Sequence, residues 1–295
     1  MMRHRTAALY VWAVALLPLL ACRREESPDV AQPQPNTESN APITYDVRAV
    51  APQPIRPRVP TQITVSIVRS DGAPASLQQT YDSYLHVLAV SRDLRWYSHL
   101  HIDEAQISDY KLPLTFPADG DYVLFAYFQP ASAQIETRTI PITVGRRPSH
   151  RTARPLEPTP LVCDVRDYRV EMKITPQPLR VNVWQSFTFH MTRGGEPVPN
   201  LGSEGQLGHL GIVSEGANDF VFAHSTVEEA GGIRSEMHVP AHPTLPDEPQ
   251  HALQPVGPEV TFHARFPHPG RYKLWAEFRP LGDDVMAEFV VTVQP

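Results

Sequence analysis

The chain contains one module twice, and this duplication constrains its fold more than any other feature. "PQPIRPRVPTQITV", from Pro52, aligns without a gap with "PQPLRVNVWQSFTF", from Pro176. Pro, Gln, Pro, Arg, Val and Thr recur in register, and Ile63 and Val65 answer Phe187 and Phe189. "FPADGDYVLFAYFQP", Phe116 to Pro130, likewise aligns with "FPHPGRYKLWAEFRP", Phe266 to Pro280. Both copies then end in an alternating apolar segment, "TIPITV" to Val144 and "AEFVVTV" to Val293. A repeat of this length must be a structural unit that buries its own core. The spacing predicts domain 1 over 44–146 and domain 2 over 166–295. A Pro-rich basic linker, 147–165, joins them.

Each copy reads as strands. Ile63 to Ile67 and Tyr122 to Phe128 are rich in Val, Ile, Tyr and Phe, and Pro or Gly punctuates the runs. No segment carries a long helical period. Proline is abundant at 32 residues against 15 glycines, which suits short strands with stiff connections. The expected fold class is all-β: two tandem immunoglobulin-like β-sandwich domains. Trp96, Trp184 and Trp275 are expected to pack the core or line a face.

The N-terminal segment stands apart from the repeats. Arg3, His4 and Arg5 precede an apolar run from Ala7 to Leu20, which ends in Leu19-Leu20-Ala21-Cys22. Residues 1–21 thus resemble a bacterial lipoprotein signal peptide, with Cys22 as the lipidated residue. Residues 22–43 are polar and Pro-rich, the composition of a disordered tether. The expected location is the cell envelope, lipid-anchored in the outer membrane and facing the periplasm, because no Asp follows Cys22. Cys163 is then the single remaining thiol, so no internal disulfide is expected.

"YLHVLAVSRDLRWYSHLH", from Tyr84, holds His86, His99 and His101. A four-residue loop, Ser91 to Leu94, pairs Val90 with Arg95 and so His86 with His99. His101, two residues on, shares the face of His99. In domain 2, "HLGIVSEGANDFVFAH" carries a loop two residues longer, Ser214 to Asp219, and pairs His209 with His224. Thr226 falls where His101 stands in domain 1. Met237, His238 and His242 follow in an insert. Two explanations stay open. The paired histidines hydrogen-bond and set the hairpin register. Alternatively, neutral imidazoles bind copper or zinc, through His86, His99 and His101 in one domain and His209, His224, Met237, His238 and His242 in the other.

At these residues the chain resembles bacterial envelope β-sandwich modules, among them those called YtkA-like. The matching elements are Leu85-His86, Ser91 to Leu94, Tyr97-Ser98-His99-Leu100-His101 and Phe116 to Tyr122. In domain 2 they are Gly208-His209, His224 and Phe266 to Tyr272. The resemblance implies a sandwich module of the kind found in copper-handling settings. Ile102 replaces the usual Pro after His-x-His, and domain 2 lacks the second His of that segment.

Net charge −6 without a basic run argues against a nucleic-acid partner. There is no nucleophile elbow, phosphate loop, dinucleotide fingerprint or His-Glu-x-x-His, so no enzyme is expected. The sequence leaves a membrane-anchored metal-binding lipoprotein. The alternative is a non-catalytic module that binds another envelope protein or a glycan, with structural histidines.

Overall fold

The computed structural model describes residues 43–80, 83–103, 109–131, 133–146, 154–199, 201, 208–226, 228–229, 232–233 and 258–295. The expected signal peptide, the expected tether up to Pro42, and Met237, His238 and His242 lie outside them. Ile43–Pro295 forms one compact unit built almost wholly of antiparallel strands. Among the described residues no helix is long and apolar enough to cross a membrane.

Domain 1 comprises β1 (Tyr45–Val50), β2 (Thr61–Arg69), β3 (Leu77–Gln78), β4 (Leu85–Ser91), β5 (Tyr97–Ile102), β6 (Asp109–Leu114), β7 (Gly120–Pro130) and β8 (Glu136–Val144). One sheet runs β1-β2-β6; the other runs β3-β7-β4-β5, with β8 also on β7. β2 and β6 alternate buried and exposed residues, as strands covered on one face do. Their inward residues Ile63, Val65, Ile67, Tyr110 and Leu112 meet Leu85, Val87, Leu124 and Ala126 of the opposite sheet in one core.

Domain 2 comprises β9 (Val162–Val165), β10 (Tyr168–Thr175), β11 (Trp184–Arg193), β12 (Glu196–Pro197), β13 (His209–Ser214), β14 (Phe220–Thr226), β15 (Glu228–Glu229), β16 (Gly232–Ile233), β17 (Glu259–Arg265), β18 (Gly270–Phe278) and β19 (Val285–Val293). The neighbours run β19-β18-β13-β14-β17-β11-β10-β9. β14 pairs with β13 along Phe220–His224, then with β17 at Ser225 and Thr226, so it crosses from one sheet to the other. Phe187, Phe189 and Phe262 pack against Leu210, Leu274 and Phe289 across this core. The expected immunoglobulin-like all-β sandwich class is what the chain adopts.

One expected detail differs. The linker was expected to reach residue 165, yet Val162–Val165 is strand β9, paired with β10. Before it, Leu156 and Thr159 already bond domain 2 through Glu215, Arg271 and Val290. Cys163 sits in β9, partly buried against the domain 2 core. Trp184, expected to pack the core or line a face, is 46% exposed, with the Arg265 guanidinium 5.4 Å from its ring centroid.

The Phe-Pro-x-x-Gly-x-Tyr motif has the same physical role in both copies. The Tyr122 hydroxyl donates to the Ala118 carbonyl at 2.8 Å, and that of Tyr272 donates to the His268 carbonyl at 2.9 Å. This is a tyrosine corner, in which the phenol ties the strand entrance to the turn behind it. Arg58 and Asn182, at matching repeat positions, both take positive φ (60° and 57°). Their backbone N–H groups donate to the Phe116 and Phe266 carbonyls.

β4 and β13 are buried at nearly every position. One face of β4 enters the domain 1 core; the other carries Leu88 and Val90 into a third cluster with Leu94, Val123, Phe125, Val213, Ala217 and Trp275. That cluster draws on both domains, so the outer faces of β4-β5-β7 and β13-β14-β18 pack sheet on sheet. Polar bonds cross the same contact: Lys273 Nζ donates to the Leu94 carbonyl at 2.8 Å and Arg92 to the Gly216 carbonyl at 3.2 Å.

We expect Tyr122→Phe and Tyr272→Phe each to lower unfolding free energy by about 1 kcal/mol, the net worth of one hydrogen bond. Their costs should add in the double variant, because the corners lie in different domains. Denaturant unfolding followed by far-UV dichroism measures this.

Candidate metal centre

The geometry of the site starts from its hairpins. In domain 1 the Ser91 N–H donates to the Trp96 carbonyl at 3.0 Å, and the Leu94 N–H returns to the Ser91 carbonyl at 2.8 Å. The Ser91 hydroxyl accepts from the Arg95 and Trp96 N–H groups. Leu94 takes φ 55°, uncommon for a branched residue. Its side chain is 1% exposed, so burial in the interdomain cluster accompanies the strained backbone.

This turn closes two residues later than expected. Val90 pairs with Tyr97, Leu88 with His99 and His86 with His101, correcting the pairing of His86 with His99. Because the shift is even, the side chains keep their face. In domain 2 the Ser214 N–H donates to the Asp219 carbonyl, the Ala217 N–H returns to Ser214, and Ala217 takes φ 55°. Val213 pairs with Phe220 and His209 with His224, as expected. The two loops therefore have equal length, not lengths differing by two. His224 is the counterpart of His101, and Phe222 that of His99. The side chain of His224 lies outside the description.

Strand alternation points His86, His99 and His101 away from the domain 1 core and into the contact with domain 2. Their ligand-capable nitrogens lie within 4.8 Å of one another. His209 arrives from β13, and Glu277 from β18. Ring centroids of His101 and His209 are 4.7 Å apart, those of His99 and His209 5.0 Å, and those of His86 and His101 5.0 Å. His99, His209 and Glu277 form a second group within the same distance. The sequence reading assigned one site to each domain; the structure brings His86, His99, His101 and His209 into one cluster. Glu277 was missed. Its charge was visible, since the second copy of the strand has a carboxylate where the first has Tyr127; what that carboxylate faces was not.

Hydrogen bonds set the tautomers. The His99 Nδ1–H donates to the Glu277 carboxylate at 3.0 Å, leaving Nε2 as the lone-pair nitrogen. That Nε2 is buried and has no hydrogen-bond partner among the described residues. A carbonyl accepts only, so the His86 Nε2–H donates to the Thr80 carbonyl at 2.9 Å, and Nδ1 carries the lone pair. An imidazole with one nitrogen tied to a carboxylate or carbonyl and the other turned to its neighbours is the usual posture of a metal ligand. The donor set is imidazole nitrogen plus carboxylate oxygen, which fits Cu(II) or Zn(II).

Packing holds these groups closely. Gly208 takes φ 118°, and a Cβ there would overlap the Glu277 carbonyl. Only glycine therefore brings His209 beside Glu277 without strain. A Cβ at Gly211 would stand 3.2 Å from the Tyr97 hydroxyl oxygen, so a bare backbone admits Tyr97 across the interface. Tyr97 stacks on Trp275 at 4.8 Å and 18°. Burial, reinforced by Glu277, pushes its hydroxyl well above 10, so it stays a phenol. His209 stacks on Phe222 at 5.8 Å and 12°.

The side chain of His99 is 4% exposed and that of Glu277 26%. Burial pushes His99 below the 6.5 of an ordinary histidine, outweighing the upward pull of Glu277. For Glu277 burial acts upward, but the His99 hydrogen bond and the nearby His99, His209 and Tyr97 hold it below 4.5. A neutral His99 against an ionised Glu277 is the arrangement at neutral pH. Both groups bind protons more readily unfolded than folded. The stability they contribute is present above about pH 6.5 and falls as pH drops through 6.5 and again through 4.5. We expect the metal-free protein to lose thermal stability between pH 7.5 and 5.5, with a shallower loss in His99→Phe/Glu277→Gln. Calorimetry across that range checks it; equal slopes would remove this pair as the cause.

Comparison with solved structures finds an Escherichia coli adhesin, FdeC, at 14% identity and TM-score 0.24, covering 84% of this chain and 64% of that one. Red sea bream transglutaminase matches at 12% identity and TM-score 0.24, covering 85% and 31%. Trypsin-activated alpha-2-macroglobulin from Escherichia coli matches at 12% and 0.24, covering 85% and 16%. The chain spans less than two thirds of each of these, and likeness at this level carries no functional argument. No curated protein matches. One family model matches residues 42–146 and again 163–295, most of both sandwiches, and the chain belongs to that family, described as "Domain of unknown function (DUF8832)".

Proposed function

We propose that this protein is a non-catalytic metal-binding module of the cell envelope, tethered to a membrane through Cys22, whose histidine cluster holds Cu(II) or Zn(II). One observation carries the reading: His86, His99 and His101 offer ligand atoms within 4.8 Å of one another in the contact between the sandwiches, with His86 and the His99 side chain buried there. The His99 tautomer supports it, because the ring commits Nδ1 to the Glu277 carboxylate and leaves Nε2 as the lone-pair nitrogen. The sequence resemblance to envelope modules of copper-handling settings points the same way. A second reading is favoured by the same bonds. His86 to Thr80 and His99 to Glu277 also suit histidines that only cement the interface of an interaction module. Under that reading the partner is another envelope protein or a glycan.

Chelator-stripped protein, purified without an affinity tag, is titrated with Cu(II) and Zn(II). We expect saturable uptake, tighter for Cu(II) by the general affinity order, and at least tenfold weaker in His99→Ala. Affinity should fall as pH drops through about 6.5, since imidazolium cannot bind a metal. No saturable uptake by the parent would leave the interface-cement reading.

Cys22→Ser should release the protein from the membrane fraction and abolish fatty-acid labelling. Retention with unchanged labelling would remove the lipid anchor from the proposal.

A further inference from the structure

We infer that the bound ion bridges the two sandwiches, so that metal occupancy and domain docking are one coupled equilibrium. The inference rests on the metal reading above and goes beyond it in naming what the ion regulates. His86, His99 and His101 come from β4 and β5 of domain 1; His209 and Glu277 come from β13 and β18 of domain 2. The two ligand groupings share His99. Its Nδ1 lies 3.0 Å from Glu277 Oε2, and His209 Nδ1 lies 3.8 Å from the same oxygen. With His101 and His209 ring centroids 4.7 Å apart, an ion held by the domain 1 imidazoles has a domain 2 donor at hand. Separating the domains would strip the site of its carboxylate and its fourth imidazole.

A ligand that binds one of two states shifts their equilibrium by its differential affinity alone. If the ion binds only the docked form, a free concentration one hundred times Kd raises the ratio of docked to undocked protein about 100-fold. Reciprocity requires the converse: weakening the docking contact must weaken ion binding even where no donor is touched.

The contact offers a place to make that change. Phe125 of β7 stacks on Phe220 of β14 at 5.1 Å and 19°, across the same interface. Phe125→Ala removes this stack and leaves every donor in place. Val213→Ala, also in the interdomain cluster, is the milder variant should Phe125→Ala not fold.

The test uses the full chain, stripped of metal and titrated with Zn(II) and Cu(II), with folding of each variant confirmed by far-UV dichroism. We expect His209→Gln and Glu277→Gln to weaken binding at least tenfold, and Phe125→Ala several-fold. Parent affinity in all three variants would overturn the inference: domain 1 alone would then hold the ion, and the metal reading would stand. No saturable uptake by the parent would overturn the metal reading and this inference with it.

Discussion

Everything else in this structure depends on one contact, the packing of the outer face of β4-β5-β7 against the outer face of β13-β14-β18. A sandwich normally buries one face of each sheet and leaves the other to water. Here the central strands of the two repeats are buried on both faces, and the second face of each is covered by the other repeat. The apolar part of that contact is Leu88, Val90, Val123, Phe125, Val213 and Trp275. At about 25 cal/mol per Å² of apolar surface removed from water, burying this cluster favours docking of the two sandwiches, and Leu156 of the connecting segment packs against it. It also removes water from around the histidines, and that burial pushes His99 toward its neutral form.

The contact is isologous in the sense used for symmetric dimers, with each repeat offering the other its equivalent face. Tyr97 of β5 stacks on Trp275 of β18, and their counterparts Phe220 of β14 and Phe125 of β7 stack on each other. A single chain has thus internalised a self-complementary interface. Internalising it frees the two halves to differ. On one side of the pseudo-axis stand His99 and Glu277; on the other stand Phe222 and Tyr127, at 5.3 Å. Neither copy alone shows this divergence. It becomes visible once the hairpin register aligns Tyr97 with Phe220 and the Phe-Pro-x-x-Gly-x-Tyr spacing aligns Tyr127 with Glu277.

The fold was legible because its signals are local. Alternation in β2 and β6, the repeated Phe-Pro-x-x-Gly-x-Tyr and the common face of His86, His99 and His101 all follow from a period of two. The pairing within the first hairpin was not legible, because it turns on Leu94 adopting positive φ and on Ser91 capping two later N–H groups. Residue preference argues against the first, and nothing in the spacing reveals the second. The convergence of histidines from both domains on one cluster was hidden for another reason. "LHVLAV" and "HLGIV" are nearly continuous apolar runs, the pattern of strands buried on both faces. That pattern reports that something covers the second face, and sequence does not say what. The role of Glu277 follows from the partner alone: on a strand read in isolation it is a charged residue on a face expected to meet water.

The duplication also bears on whether the buried polar pair is there for packing. Bringing a carboxylate and an imidazole together in a largely dry contact costs desolvation that a close hydrogen bond only partly offsets. An apolar pair of similar size commonly serves stability as well or better. The molecule contains that alternative: Phe222 and Tyr127 occupy the equivalent places and pack the other half of the same interface. Docking therefore does not require His99 and Glu277. His86 and His101 pair across one hairpin, and His209 and His224 hold the equivalent register in the other, so that histidine pair is common to both repeats. What distinguishes the His99 side is a third imidazole whose Nδ1 is engaged by a carboxylate and whose ring centroid lies 4.4 Å from that of His101 and 5.7 Å from that of His86. An interface that needed only cohesion has a ready apolar solution. The departure from it places a neutral nitrogen donor, a negative charge and further imidazoles around one point, the chemistry that attracts a divalent cation.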